Sequence, residues 1–370
     1  MRPKVSVLIP AYNHGRFVSE AIESVLNQTF QDFEICISDD FSQDNTWSEI
    51  CKYRDRRIKK VRLKKNTGAV FNTWKAFQMA RGEYIAILNS DDKFKPEKLQ
   101  KQVDFLDNNP AYGAVFSRAE LINEKGNKIP DDEHALQKIF KQENRSQIEW
   151  LRHFFWEGNC LCHPSVLIRR QCYQTVGFYK AIYRQLPDFE FWIRLVQRFP
   201  IHVLPEGLVE FRILDNNANT SAHTIENIIR YDFEFRQILL QIIEKTDIHE
   251  LSKILKKPKI TENNKLFFLA ELAMKLHREN AYPRVYDAIS FWIYSQLRNE
   301  KPTTLIPYSD LFNNMYSVVA GSNRLFRDSL DQLRNTENKL RNTENKLQEI
   351  QNTLIYKLVI RLKSWFSLFS

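Results

Sequence analysis

Short apolar runs and stretches of helical spacing alternate along the first part of the chain. KVSVLIP (4–10), FEICISDD (33–40), IKKVRL (58–63) and YIAILN (84–89) have the length and composition of strands. Between the first two, RFVSEAIESVLNQTF (16–30) puts Phe17, Ala21, Ile22, Val25 and Leu26 on one helical face. FSQDNTWSEICKYR (41–54) opens with Ser, Asp and Asn as candidate helix caps, and GAVFNTWKAFQMAR (68–81) predicts a third helix. Repeated strand–helix units predict an α/β fold, a Rossmann-like, mostly parallel sheet covered by helices on both faces. Ligands of such sheets bind beyond the carboxyl ends of the strands.

The pattern continues with a helix over 96–109, opened by Pro96, and a strand over 112–122. Residues 123–147 are polar and predict a variable loop, and 148–221 are of mixed content. From 222 to 325 the spacing is helical, so a first domain over 1–221 is expected to carry an α-helical appendage. RNTENKL then occurs at 334–340 and again at 341–347, which sets Leu333, Leu340, Leu347 and Leu354 seven apart. The companion seam holds Thr336 and Thr343, or Glu337 and Glu344, so 326–353 predicts either a weak coiled coil, self-associating through 330–354, or a solvated helix. Beyond it, 354–370 reads as an amphipathic helix with Ile355, Leu358, Val359, Leu362, Trp365, Phe366 and Phe369 on one stripe and Lys357 and Arg361 opposite. Such a stripe docks on a core or lies on an acidic membrane surface.

Charge narrows the partners without choosing one. The 370 residues include 54 basic and 45 acidic side chains, a net +9, which favours a phosphate-bearing substrate, a nucleic acid or an acidic membrane. Five cysteines, odd in number and without framework spacing, suit a reducing compartment. The start MRPK enters a strand at once, which predicts no signal peptide, and no apolar run reaches the roughly 18–20 residues of a membrane span. The expected location is cytoplasmic, with a peripheral position at the inner face of the membrane as a further option.

Two of the parallel strands end in adjacent acids, Asp39–Asp40 and Asp91–Asp92. Such residues form turns and cap helices. Paired carboxylates at two strand tips also suit a divalent cation, Mg²⁺ or Mn²⁺, that holds a diphosphate. Cys160, Cys162, His163 and Cys172 lack the usual zinc spacing. The first helix follows AYNHGRF, with one glycine where a phosphate-binding loop would need several.

With these motifs in order, the chain over roughly 4–215 resembles the inverting family 2 glycosyltransferases of GT-A fold. VSVLIPAYN resembles the family's opening strand, SDDFSQDNT its nucleotide-binding loop and NSDDKFKPEKL its metal-binding motif. The resemblance implies that Pro10, Tyr12 and Asp40 meet the nucleotide, with Asp39 supporting that loop. It gives Asp91 to the ribose and diphosphate and Asp92 to the metal. GNCLCHPSVLIRR and LPDFEFWIRL resemble the acceptor side, which implies Asp188 as catalytic base and His163 and Glu190 as lining or support. Arg212 resembles a position near the diphosphate, although a solvated arginine on an edge strand reads the same way. Asn89 and Pro187 stand where many members carry acids: an outer-sphere carboxylate is missing at Asn89, and of the pair at 187–188 only the implied base, Asp188, is retained.

The implied reaction moves a sugar from a nucleotide sugar, a UDP-sugar in expectation, to the hydroxyl of a glycan or lipid-linked acceptor, in cell-surface polysaccharide or glycan synthesis. Neither substrate is a nucleic acid. Two other readings stay open at this point: a catalytically weak scaffold acting through its helical tail, and a nucleotidyltransferase.

Overall fold

The computed structural model describes residues 2–214, 224–256 and 260–297. Eight strands occur in chain order: β1 (Val5–Ala11), β2 (Phe33–Asp39), β3 (Ile58–Arg62), β4 (Tyr84–Ile87), β5 (Lys93–Phe94), β6 (Ala114–Ile122), β7 (Leu167–Arg169) and β8 (Ile201–Arg212). They form one sheet in the order β3-β2-β1-β4-β7-β6-β8-β5. The β1–β2, β2–β3, β1–β4 and β6–β8 pairs are parallel, and β7 runs antiparallel between β4 and β6.

Alternation along the central strands explains the layers. Val5, Val7, Ile9 and Ala11 of β1 share a buried cluster with Ile35 and Ile37 of β2 and with Val18, Ala21, Ile22 and Val25 of α1 (Val18–Leu26). Leu99, Val103 and Leu106 of α4 (Lys98–Asn108) complete that face. Leu8, Cys36, Ile85 and Ile87 are equally buried but lie outside that cluster, as the two-residue strand period requires. The helix α2 (Thr46–Lys52) follows β2, and α3 (Ala69–Met79) lies against β1 and β2. A sheet buried on both faces explains why its strands read as continuous apolar runs.

The polar segment expected to be a loop, 123–147, contains a short helix, α5 (Ala135–Ile139). It is followed by α6 (Gln147–Trp156), α7 (Arg170–Val176) and α8 (Pro187–Val196). The expected helical region is present as α9 (Ile225–Lys245), α10 (Ile248–Ile254), α11 (Lys265–Arg278) and α12 (Pro283–Leu297). The heptad segment 326–353 and the amphipathic 354–370 lie outside the described residues.

Candidate active site

The carboxyl tips of β1 and β2 are stitched into one platform. Ala11 is in register with Asp39, and beyond them the two loops exchange hydrogen bonds. Asn13 N donates to Ser42 Oγ at 2.9 Å and Gln43 N donates to Asn13 Oδ1 at 2.9 Å. Next along, His14 N donates to Thr46 Oγ1 at 2.8 Å and Gly15 N to Asp44 Oδ2 at 2.9 Å. Asp39 is fully buried and accepts from Ser42 N at 3.2 Å and pairs with Arg62 Nε at 3.3 Å. Asp40, also buried, accepts from Thr67 N at 2.7 Å, Thr67 Oγ1 at 2.8 Å and Gly68 N at 2.8 Å. Both acids therefore fasten loops, and Asp40 keeps little free acceptor capacity.

What the platform presents to solvent is aromatic. Tyr12 is 42% exposed and Phe41 39%. Phe41 has φ 61°, a left-handed backbone that is rare for a bulky side chain, and the Arg62 guanidinium lies 5.5 Å from its ring centroid. Pro10, half-buried, sits in β1 opposite Ser38.

The acidic turn after β4 is held from behind by Arg212. Rather than being solvated, this side chain is wholly buried at the end of β8. Its Nε donates to the Asp91 carbonyl at 2.7 Å, Nη1 to the Glu124 carbonyl at 2.8 Å and Nη2 to Glu20 Oε2 at 2.8 Å. Its backbone N donates to Asp92 Oδ1 at 2.8 Å, while Asn89 Nδ2 donates to Asp92 Oδ2 at 2.9 Å. Asn89, the departure from the family's acid, thus serves as a donor to the buried carboxylate.

Burial, with the neighbouring Asp91 charge, pushes the Asp92 carboxyl well above its usual range. A cation beside the pair would reverse that penalty. Asp91 differs from Asp92: its carboxylate is the less buried of the two, receives no hydrogen bond among the described residues, and stands 3.7 Å from His14 Nδ1. Among the described residues no three His, Cys, Asp or Glu side chains converge as a closed metal cage. The pair offers oxygen donors only, one of them bare, which fits a hard ion completed by substrate oxygens and water.

Asp188 stands in the first turn of α8. The turn at Cys162–His163 precedes β7, which pairs antiparallel with β4 (Leu167 opposite Ala86), and His163 packs against Trp192 of α8 with ring centroids 5.9 Å apart. The buried Cys162 thiol is pushed well up by burial, with the Asp92 charge adding to the effect and Asp188 contributing least. Asn159 Nδ2 donates to Asp188 Oδ2 at 3.0 Å. His163 Nε2 is 3.0 Å from Tyr179 Oη. Burial lowers the His163 pKa, only partly opposed by Asp188, which favours the neutral ring. Glu190 is buried and already paired with Arg194 and Lys180, at 2.7 and 2.5 Å. These partners make it a brace for α8.

Two side chains invisible in the motif pattern complete the arrangement. Phe41 is one. The other is Glu234 of α9, buried, whose carboxylate accepts from the backbone N of Arg184, Gln185 and Leu186, each at 2.8 Å. Phe235 of the same helix stacks on Phe189 with centroids 5.6 Å apart. The helical region thereby fixes the segment that leads into Asp188. A turn needing φ > 0 but occupied by phenylalanine could have revealed Phe41, had the backbone been known. A lone acid on an amphipathic helix gives no such signal for Glu234.

Residues 6–170 match the profile of Glycosyl transferase family 2. The chain is 31% identical over 217 residues to the uncharacterized glycosyltransferase MJ1057 of Methanocaldococcus jannaschii, spanning 57% of this chain and 71% of that protein. It is 31% identical over 224 residues to TuaG of Bacillus subtilis (strain 168), a glycosyltransferase whose name points to teichuronic acid biosynthesis, spanning 60% and 83%. Residues 1–349 of S. aureus TarS, solved in complex with UDP-GlcNAc, overlay with a TM-score of 0.54 at 18% identity, over 80% of this chain and 85% of that one. At that identity the likeness is one of fold, and the fold is GT-A.

Proposed function

We propose a reaction for this chain, which belongs to glycosyl transferase family 2: transfer of a sugar from a nucleoside diphosphate donor, UDP in the first instance, to an acceptor hydroxyl with inversion at the anomeric carbon. The observation that carries the reading is the turn at Cys162–His163, which leads into β7 beside the carboxyl end of β4, where the Asp91–Asp92 turn begins, and packs through His163 on Trp192 of the helix that carries Asp188. It supports a donor diphosphate and an acceptor base on either side of a single reacting centre.

Tyr12 and Phe41 would stack against the base, on a platform already rigid before the donor arrives. Asp39 and Asp40 hold that platform, and Pro10 shapes the strand beneath it. The sequence assigned the divalent ion to Asp92. The bare carboxylate of Asp91 supports Asp91 as the nearer ligand, with Asp92 and Arg212 keeping the turn in place. Bound there, Mn²⁺ or Mg²⁺ would act as a Lewis acid on the leaving diphosphate.

Asp188 is the base. Asn159 occupies Oδ2, so Oδ1 takes the acceptor proton as the acceptor oxygen bonds to the anomeric carbon and the sugar–phosphate bond breaks. Glu190 and Glu234 hold α8 and its approach. The acceptor is a glycan or a lipid-linked sugar of a cell-surface polysaccharide, in keeping with the name of TuaG. Among the described residues no helix is long and apolar enough to cross a membrane. The peripheral contact proposed for 354–370 and the self-association proposed for 330–354 lie outside the described residues.

The test is donor turnover. A panel of UDP-, GDP- and TDP-sugars, with Mn²⁺ or with EDTA, should yield free nucleoside diphosphate from one donor class. Release from none of them, with or without acceptor glycans, would contradict the reading.

A further inference from the structure

The strand ends opposite the acidic tips carry a second concentration of charge, of the other sign. A cleft of about 490 Å³ opens there, lined by Arg2, Ala80, Arg81 and Arg170. Two of the guanidiniums are drawn in by consecutive carbonyls: Arg2 Nε donates to the Arg81 carbonyl, and Arg170 Nε donates to the Gly82 carbonyl at 2.7 Å. The loop that supplies these carbonyls is pressed against β1. A Cβ on Gly82 would stand 2.4 Å from Ser6 N, so only glycine allows the approach.

The nearby carboxylates are already engaged. Glu34 accepts from Ser6 Oγ at 2.7 Å, pairs with Lys59 at 2.6 Å and also accepts from Arg81 N. Glu83 pairs with Lys4 at 3.0 Å. Among the described residues no acid lines the cleft. Arg170 rests over the Phe77 ring, 5.0 Å from its centroid, and its Nη2 is buried without a hydrogen-bond partner among the described residues. A buried guanidinium N–H left unpaired is costly, and three like charges facing one cleft repel each other. An oxyanion relieves both, and arginine's fork suits phosphate above other anions.

We propose that the Arg2–Arg81–Arg170 cleft binds a phosphate-bearing anion, at the end of the central strands opposite the donor platform. Burial, with the Arg2 charge, presses against protonated Arg170 and outweighs the nearby Glu34 carboxylate, so the net shift is downward and an anion in the cleft would offset it. The phosphate could belong to a free phosphorylated compound or to a lipid headgroup, and these sources separate experimentally. The site does not depend on the reaction proposed above.

The experiment uses the full chain in EDTA at fixed ionic strength, to silence metal-dependent binding at the donor site. Pyrophosphate is titrated by calorimetry. In parallel, co-sedimentation is measured with vesicles of phosphatidylglycerol and of phosphatidylcholine. Arg2→Ala/Arg81→Ala removes two exposed guanidiniums with little risk to the fold, and Arg170→Lys keeps a charge while losing the fork. Each lost charge-assisted contact should weaken binding about tenfold. Saturable pyrophosphate binding that falls in both variants supports the site with a free anion as ligand. Binding only to phosphatidylglycerol vesicles, reduced in the same variants, supports it with a headgroup. No binding of either probe, or binding equal in wild type and variants, overturns the proposal.

Discussion

Replacing Phe41 by glycine and by alanine separates strain from packing at the rim of the donor platform. The residue has φ 61° and is 39% exposed, so its ring keeps roughly three-fifths of its surface buried. Either truncation forfeits about 1–2 kcal/mol of that burial. Alanine retains a Cβ in a left-handed backbone, which costs about 1–2 kcal/mol, whereas glycine is free of this cost. The glycine variant should therefore be the more stable by about 1 kcal/mol, or roughly 2–3 °C in Tm. At the exposed, mid-helix Asp104 the order should reverse, with alanine ahead by about 1 kcal/mol. Urea unfolding of the four variants decides the matter. Both truncations at 41 should weaken binding of a nucleoside diphosphate about tenfold, since base–aromatic stacking contributes roughly 1–3 kcal/mol, while Phe41→Trp preserves it. Alanine equal to or better than glycine at 41 would refute the strain. Unchanged nucleotide affinity in the glycine variant would remove Phe41 from the base site.

Arg212→Met should cost roughly 3–5 kcal/mol, because it strips a buried guanidinium from acceptors in three separate segments, and an unchanged Tm would show that the clamp is idle. Glu234→Gln should lower kcat about tenfold while leaving donor affinity unchanged, since the N–H groups of 184–186 lose a charged acceptor worth about 1.5–3 kcal/mol and α8 shifts. An equal loss in donor affinity would point instead to general damage. For His163 the folded pKa is below the ordinary 6.5, so the unfolded chain binds the proton first as pH falls. Its stabilising share is present above about pH 6.5 and is lost below it. Tm should drop more steeply between about pH 7 and pH 5.5 in wild type than in His163→Asn, with His153 and His202 supplying the remaining slope. Parallel curves would contradict the assignment.

Much of the frame was legible because it follows from burial on two faces. Strands such as VSVLIPA are apolar at successive positions for that reason, and their acidic ends stand out by contrast. The roles of those acids were harder to read. Asp40 looks like a ligand in the sequence, yet its three bonds come from Thr67 and Gly68, whose positions only the folded loop defines. An arginine ending a strand ordinarily reads as solvated, and nothing local tells that Glu20, Asp91 and Glu124 converge on Arg212. The helix α5 is five residues long, too short for a period to register within a polar stretch. Glu234 reaches its partners across about fifty residues, so α9 reads as an appendage although it braces the segment before Asp188.

The most direct test of the proposed base is Asp188→Asn, assayed with the donor identified by turnover. Single-turnover transfer is measured beside equilibrium binding of the nucleoside diphosphate with Mn²⁺. The asparagine keeps the shape and a hydrogen bond to Asn159 but takes no proton, so transfer should fall about 10²–10⁴-fold with nucleotide affinity within about twofold of wild type. A variant retaining more than about a tenth of wild-type transfer, less than the loss expected of a general base, would contradict the account and place the proton acceptor elsewhere.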